Sequence, residues 1–312
     1  MKVYTDISEI KDKTNSVVTI GTFDGVHVGH IEVLKYVVDK SKELGLKSYV
    51  ITFEPHPRKV VFTEEVVSIL TTLEEKKKVF ESLGIENLLV INFTREFSKL
   101  SSEEFIRNFI VDGIGARHII IGHDHKFGKD RGGDESTLLE LRKKHDFEVT
   151  TFSPVYINEN LVSSTKIRVA LKNGNIESAN SMLGRNYSLT GIVVKGAGRG
   201  RTLGFPTANV NPDDAVKLIP CNGVYVVDCI MNENKYYGIL NIGYRPTFED
   251  IHELVIEVNI LDFSKDIYGE EIKIEFLKRL REEKKYKSRS ELIEQIEKDK
   301  KEAVNFISTL IN

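Results

Sequence analysis

The chain has 312 residues, of which 40% are hydrophobic and 29% charged, and carries a formal net charge of −3. The length suggests about two domains of ~150 residues, the composition is that of an ordinary soluble globular protein, and the slight acidity argues against a nucleic-acid binder, which needs a basic face. Two cysteines, Cys221 and Cys229, are too few for a disulfide scaffold or a zinc site and read as reduced, partly buried fillers. Met1–Asp6 carries no apolar signal region and no apolar run approaches ~18 residues, so a cytoplasmic protein with no membrane association is expected.

The first half alternates short apolar runs with longer helical patterns. Strands are predicted at Val17–Ile20, Ser48–Phe53, Leu88–Ile91, His118–Ile121 and Glu148–Phe152. An amphipathic stretch runs from Val28 to Leu44, and a helix from about Ser102 to Val111 opens with Ser101-x-x-Glu104, a spacing at which the two side chains cap reciprocally. Continuous Val/Ile strands separated by helices predict an α/β domain, a Rossmann-like parallel sheet covered on both faces. Ligands of such sheets sit at the carboxyl ends of the strands.

The first strand joins the first helix through Gly21-Thr22-Phe23-Asp24-Gly25-Val26-His27-Val28-Gly29-His30. Glycines let the backbone approach a triphosphate, and a helix N-terminus attracts anions. His27 and His30 lie on one face of a helical turn, where two imidazoles can donate to phosphate oxygens as charge builds in a transition state. A His-x-x-His pair alone also fits a metal site. Further on, Val162-Ser163-Ser164-Thr165-Lys166-Ile167-Arg168 sets hydroxyls at a helix start, and Arg168 offers a planar fork to a β/γ-phosphate. For Ser163 alone an ordinary cap is the plainer reading. His118, His123, Asp124 and His125 do not combine into a metal set, because neighbouring strand residues point to opposite faces.

After about Arg185 the grammar changes. Strands at Ser188–Val194, Val224–Ile230, Tyr236–Ile242, Leu254–Ile260 and Glu271–Leu277, with turns and no helix among them, predict an antiparallel β-barrel. A last helix begins near Ser288-x-x-Glu291 and runs almost to Asn312. The predicted domains are 1–185 and 186–312.

Within the second half, Gly196-Ala197-Gly198-Arg199-Gly200-Arg201 lacks the third glycine and the following helix of a dinucleotide fingerprint, and no Gly-Lys-Ser/Thr makes it a Walker loop. It runs instead into Phe205-Pro206-Thr207-Ala208-Asn209. In an extended segment residues i and i+2 share a side, so Thr207 and Asn209 can share one Mg²⁺ beside a nucleotide. Further along, Glu257 places a carboxylate mid-strand amid apolar residues, unusual unless partnered or catalytic; a surface-facing glutamate is the alternative.

The glycine loop followed by Pro-Thr-Ala-Asn, with Gly223-Val224-Tyr225, Asn241-Ile242-Gly243-Tyr244-Arg245-Pro246-Thr247-Phe248 and Arg281-x-Glu283-x-x-Tyr286, resembles the riboflavin kinase family. The first-half motifs extend through Thr52-Phe53-Glu54-Pro55-His56-Pro57, Leu70–Lys76 and Phe93–Phe97. They resemble the adenylyltransferase module of the bacterial bifunctional riboflavin kinase/FMN adenylyltransferase family. The resemblance spans about Thr14 to Asp299 and implies two ATP-dependent reactions, riboflavin to FMN and FMN to FAD, with Mg²⁺ as cofactor and riboflavin, FMN, FAD and ATP as ligands.

By the same resemblance His27 and His30 stabilise the adenylyl transition state. Gly21, Phe23, Asp24, Gly25, Gly29, Ser163, Ser164, Thr165 and Arg168 bind ATP there, while Gly196, Gly198, Gly200 and Arg201 cradle phosphates in the kinase. Glu257 is implied as the base that takes the proton of the ribityl hydroxyl. His56, Asp124, His125, Phe127, Arg281 and Glu283 are implied to contact flavin. His125 and Lys126 depart from the aromatic and arginine the family usually carries, and arginine and lysine are not equivalent at a stacked or bidentate site. Two alternatives follow: a riboflavin kinase whose adenylyl module is weakened or differently specific, and a flavin-sensing protein without turnover. The second predicts damaged catalytic positions, whereas Glu257, Thr207, Asn209, His27 and His30 are all present.

Overall fold

The computed structural model describes residues 1–11, 13, 15–62, 68–196, 200, 204–246 and 252–311. The chain forms two compact units, Met1–Ser164 and Thr165–Asn312.

The first unit contains β1 (Lys2–Tyr4), β2 (Ser16–Ile20), α1 (Val28–Leu44), β3 (Lys47–Glu54), α2 (Pro57–Val61), α3 (Leu73–Ser82) and β4 (Asn87–Asn92). It continues with α4 (Ser102–Phe105), which runs on as a π-helical segment to Ile114, then β5 (Ala116–Gly122), α5 (Glu135–Leu141), β6 (Glu148–Phe152) and the small hairpin β7 (Tyr156–Ile157) and β8 (Asn160–Leu161). The main sheet has the order β1-β4-β3-β2-β5-β6 and is parallel throughout. All five predicted strands are present; the additional edge strand β1 is only three residues long, too short to carry a period.

Alternation along each strand fills both faces. Val18, Ile20, Ile51, Leu89 and Ile119 pack with Phe105, Ile106 and Ile110 on one side, and Val17, Val50, Leu88 and Ile120 pack with Leu34, Val37 and Phe80 of α1 and α3 on the other. This two-sided burial is why the strands read as continuous apolar runs. Ser101 and Glu104 form the expected capping box, and Gly45 ends α1 in the left-handed region at φ 64°. From β2 the chain winds outward to β3 and β4, then returns to β5 on the other side. The switch point therefore lies between the carboxyl ends of β2 and β5, where both loops carry predicted ligand residues.

The second unit holds α6 (Ser164–Lys172, beginning one residue earlier), α7 (Ile176–Leu183), β9 (Ser188–Val194), β10 (Ala208–Pro212), β11 (Gly223–Met231), β12 (Asn234–Pro246), β13 (His252–Ile260), β14 (Glu271–Arg281) and α8 (Arg289–Ile311). The six strands close into a barrel in the order β10-β13-β12-β11-β14-β9 with every pairing antiparallel, which leaves no free edge. Tyr225, Val227, Leu240, Val258, Ile274 and Phe276 are fully buried, whereas Val226, one step out of phase, packs outward on Ala303 and Ile307 of α8. Helices α6 and α7 join the barrel through specific bonds. Cys221 N–H donates to the Leu171 carbonyl at 3.1 Å, and the Asn180 amide donates to the Phe276 carbonyl at 2.8 Å while accepting from Tyr187 N–H. Cys221 is half-buried and Cys229 buried, both as free thiols.

Candidate active sites

In the first unit the site begins where β2 ends. Gly25 lies at φ 85°, and Phe23 and Val26 are held at φ 46° and 37°, a conformation that costs an L-residue about 1–3 kcal/mol. It persists because both side chains are buried in the core, Phe23 against Phe80. Asp24 is 1% exposed, and its Oδ1 accepts from Leu70 N–H at 2.8 Å and Thr71 N–H at 3.1 Å. The Ser164 hydroxyl donates to the Asp24 carbonyl at 2.8 Å. Asp24 and Ser164 thus fix the glycine loop against two distant segments, and Asp24 does so with its carboxylate turned to backbone amides.

His27 is the N-cap of α1, its Nδ1 accepting from His30 N–H at 3.3 Å. That bond places the ring hydrogen on Nε2. The imidazoles of His27 and His30 stack at 3.7 Å with 16° between planes, and the Phe23 ring meets His30 edge-on at 5.2 Å. A Cβ at Gly29 would lie 3.4 Å from the His27 ring, and one at Gly21 would lie 3.1 Å from the Phe23 ring. The glycines therefore give room to these rings as well as to a ligand. The expected single face for the two histidines is realised as direct stacking at the amino end of a 17-residue helix, a place that favours anions.

His56 is buried and caps α2, Nδ1 accepting from Arg58 N–H at 3.2 Å. Thr165 and Arg168 share one face of α6, and Ser163 precedes the helix. After β5, Asp124 is 83% exposed. Phe127 is buried in the core, its ring tilted to that of Phe105 and stacked with that of His125 at 5.7 Å. Lys126 is engaged in an ion pair, 2.8 Å from Asp134 Oδ2, and this contact, with Ser136 and Thr137, holds the Asp134 carboxyl well below the usual carboxylate range. Lysine here secures the cap of α5. His118 is also engaged, its Nε2 2.8 Å from Thr150 Oγ1 across to β6.

Burial pushes the His125 imidazole down to about 4, against a smaller opposing effect of Asp124. Between pH 6.5 and 4 an unfolded chain would take up a proton that the folded chain refuses, so this histidine makes stability fall as pH falls through that window. His125→Phe is expected to flatten that part of the profile. Urea midpoints of both proteins at pH 7 and pH 5 check it; parallel losses would mean that His125 does not carry the slope.

Lys76 of α3 is 3% exposed. Burial lowers its pKa, while the carboxylates of Asp24, Glu54 and Glu75 oppose that shift. In the sequence it appears only as the last residue of the Leu70–Lys76 motif and the first of three consecutive lysines, with nothing to mark it as buried.

In the barrel, Glu257 of β13 stands in register between Asn209 of β10 and Asn241 of β12. Ile256, Val258 and Ile260 point into the core, so Glu257 and Asn259 lie on the outer face. Asn241 was not singled out, although a polar residue mid-strand beside Glu257 is the same signal that marked Glu257 itself. Strand β10 was not anticipated as a strand; Asn209 lies in it, whereas Thr207 directly precedes its first residue, Ala208.

The glycines here act sterically. A Cβ at Gly196 would collide with the Asn209 amide, 2.5 Å from Cγ and 2.8 Å from Oδ1, and one at Gly200 would lie 2.9 Å from Thr207 Oγ1 and strike the Phe205 carbonyl. Gly198 and Arg201 lie outside the described residues.

Glu283 approaches Gly243 closely: a Cβ there would strike its Oε1 and lie 3.2 Å from the Asn241 amide nitrogen. Arg281, by contrast, grips Asp299 of α8 with Nε at 2.9 and 3.1 Å and Nη2 at 2.7 Å. The Asp299 carboxylate is 6% exposed and also accepts from Gln295. The Arg281 guanidinium is thus spent on tying β14 to α8, with the Tyr286 ring 5.8 Å away.

Comparison with known proteins follows this division of the chain. The FAD synthetase family matches residues 9–166 and the riboflavin kinase family residues 183–307. The bifunctional riboflavin kinase/FMN adenylyltransferase of Bacillus subtilis is 41% identical, over 96% of this chain and 95% of its own. The protein of that name from Escherichia coli is 35% identical over 93% and 92%. A solved structure described as a macrolide-efflux protein from Streptococcus pneumoniae has 32% identity and a TM-score of 0.88, covering 97% of this chain and 98% of its own. The first match includes His125 and Lys126, so the alternative of a weakened adenylyl module gains no support. The chain belongs to the bifunctional riboflavin kinase/FMN adenylyltransferase family.

Proposed function

We propose that the two sites divide FAD synthesis between them, the barrel phosphorylating riboflavin to FMN and the parallel-sheet unit joining FMN to AMP from a second ATP with release of pyrophosphate. The observation that carries this reading is the presence, in one chain, of two complete constellations: stacked His27 and His30 at a helix start, and Glu257 in register with Asn209. In functional terms we assign residues 1–185 to adenylyl transfer and 186–312 to the kinase.

In the kinase, Glu257 takes the proton from the ribityl 5′-hydroxyl, which attacks the γ-phosphorus of ATP as the bond to the β-phosphate oxygen breaks, giving FMN and ADP. Thr207 and Asn209 supply the oxygen donors a Mg²⁺ ion requires, and Gly196 and Gly200 keep those side chains uncovered. When bound, the ion neutralises phosphate charge. Gly196, Gly198, Gly200 and Arg201 form the phosphate loop. Glu283, seated beside Gly243 and Asn241, and Arg281, held to Asp299 of α8, are assigned to flavin.

In the adenylyl site the nucleophile is the FMN phosphate, so no protein nucleophile is needed. His27 and His30 donate to the phosphate as negative charge builds. Gly21, Phe23, Asp24, Gly25 and Gly29 shape the loop, and Ser163, Ser164, Thr165 and Arg168 bind the triphosphate. His56, Asp124, His125 and Phe127 form the flavin side, His125 as a neutral ring. No helix among the described residues is long and apolar enough to cross a membrane. We assign the enzyme to the cytoplasm, where it acts on free riboflavin and ATP. Chromatographic separation of flavins after incubation with riboflavin, ATP and Mg²⁺ tests the reading. FAD as final product supports it; accumulation of FMN alone would remove the second activity.

A further inference from the structure

We infer that Asn259 is a positioning residue of the kinase site, holding Thr207 in place through the Pro206 carbonyl; this rests on the reading that Thr207 and Asn209 face the metal–nucleotide. The β10–β13 ladder pairs Asn209 with Glu257 and Ala208 with Val258. Beyond Ala208 the segment leaves the sheet, and Pro206 has no N–H to contribute. Asn259 continues the tether with its side chain, donating Nδ2 to the Pro206 carbonyl at 2.7 Å. On the other side the Phe205 N–H donates to the Gly200 carbonyl at 2.9 Å.

Thr207 therefore sits between these two bonds, made by Phe205 and Pro206 just before it, and the β10–β13 ladder that begins just after it at Ala208. Glu257 and Asn259 are two apart on β13 and share its outer face, while Thr207 and Asn209 lie against the glycines of the loop, Gly200 and Gly196. The strand that supplies the base thus also sets the register of the hydroxyl that receives the nucleotide. The bond is solvent-exposed and lies on the outer face of β13, away from the barrel core, so its loss should loosen Thr207 without dismantling the fold.

The test uses the full chain. Titration calorimetry with Mg²⁺ and ADP first identifies the binding event that Thr207→Val removes. Asn259→Ala is expected to weaken that event and raise KM for Mg²⁺-ATP about tenfold, the upper range for one neutral hydrogen bond, with kcat for riboflavin phosphorylation nearly unchanged. Asn259→Asp, similar in shape but facing a carbonyl without a donor, should be at least as impaired. Asn259→His, which restores a donor, should recover most of the affinity. An unchanged thermal-unfolding transition and an unchanged kcat for riboflavin phosphorylation report that the barrel of each Asn259 variant is folded.

Wild-type affinity in Asn259→Ala, or a loss that Asn259→His does not recover, overturns the inference alone. A Thr207→Val protein that keeps every binding event overturns the metal–nucleotide reading and the inference with it.

Discussion

Glu257→Gln is expected to stop FMN formation while leaving conversion of supplied FMN to FAD intact. Glutamine preserves the volume and the strand, so the barrel core beneath, built from Ile256, Val258 and Ile260, should be unaffected. What is lost is the ability to accept a proton, and a positioned general base contributes about 10²–10⁴-fold to a rate. In a flavin chromatogram the variant given riboflavin should show almost no product, and given FMN it should produce FAD at the parental rate. A folded variant that has lost both steps would dissociate Glu257 from the kinase step, as would one that phosphorylates riboflavin normally. Because Asn209 and Asn241 flank Glu257 in register, neither can replace it: an amide takes up no proton in this pH range.

The fold was legible wherever burial imposed a period. Continuous runs rich in Val, Ile and Leu marked β2 to β5, and the helix Val28–Leu44 emerged with its predicted ends because Gly45 stops it in the left-handed region. Strand β10 escaped because its sequence, Ala208-Asn209-Val210-Asn211-Pro212, contains two asparagines and a proline; the neighbours β9 and β13 make it a strand, not its own propensity. The catalytic candidates were legible as local motifs, whereas their supports were not. That the Asp24 carboxylate accepts from amides 46 and 47 residues away, that Arg281 closes on Asp299, or that Asn259 reaches Pro206 are long-range facts with no periodic or spacing signal. Residues whose support depends on a partner far along the chain are read in sequence only as polar residues in a family motif.

His30→Ala is expected to do the converse of Glu257→Gln: riboflavin is phosphorylated normally and FMN accumulates. Removal of one preorganised donor from a developing oxyanion costs about 2.7–4 kcal/mol, or 10²–10³-fold. The geometry makes His30 a cleaner probe than His27. The His27 ring has a second task, accepting from His30 N–H as the cap of α1, and loss of an N-cap alone costs ~0.5–2 kcal/mol of stability. His27→Ala therefore mixes two effects, whereas His27→Asn keeps a capping acceptor and removes the imidazole. The pair should behave alike in the FAD assay and differ from His27→Ala in thermal unfolding, with the alanine protein the least stable. The stacking at 3.7 Å adds a coupling: if the rings act on the same phosphate, the double variant His27→Asn/His30→Ala should lose less than the product of the single losses, since residues acting as a unit are not additive. Undiminished FAD output from His30→Ala would remove His30 from the mechanism, and strictly multiplicative losses would place the two imidazoles on separate oxygens acting independently.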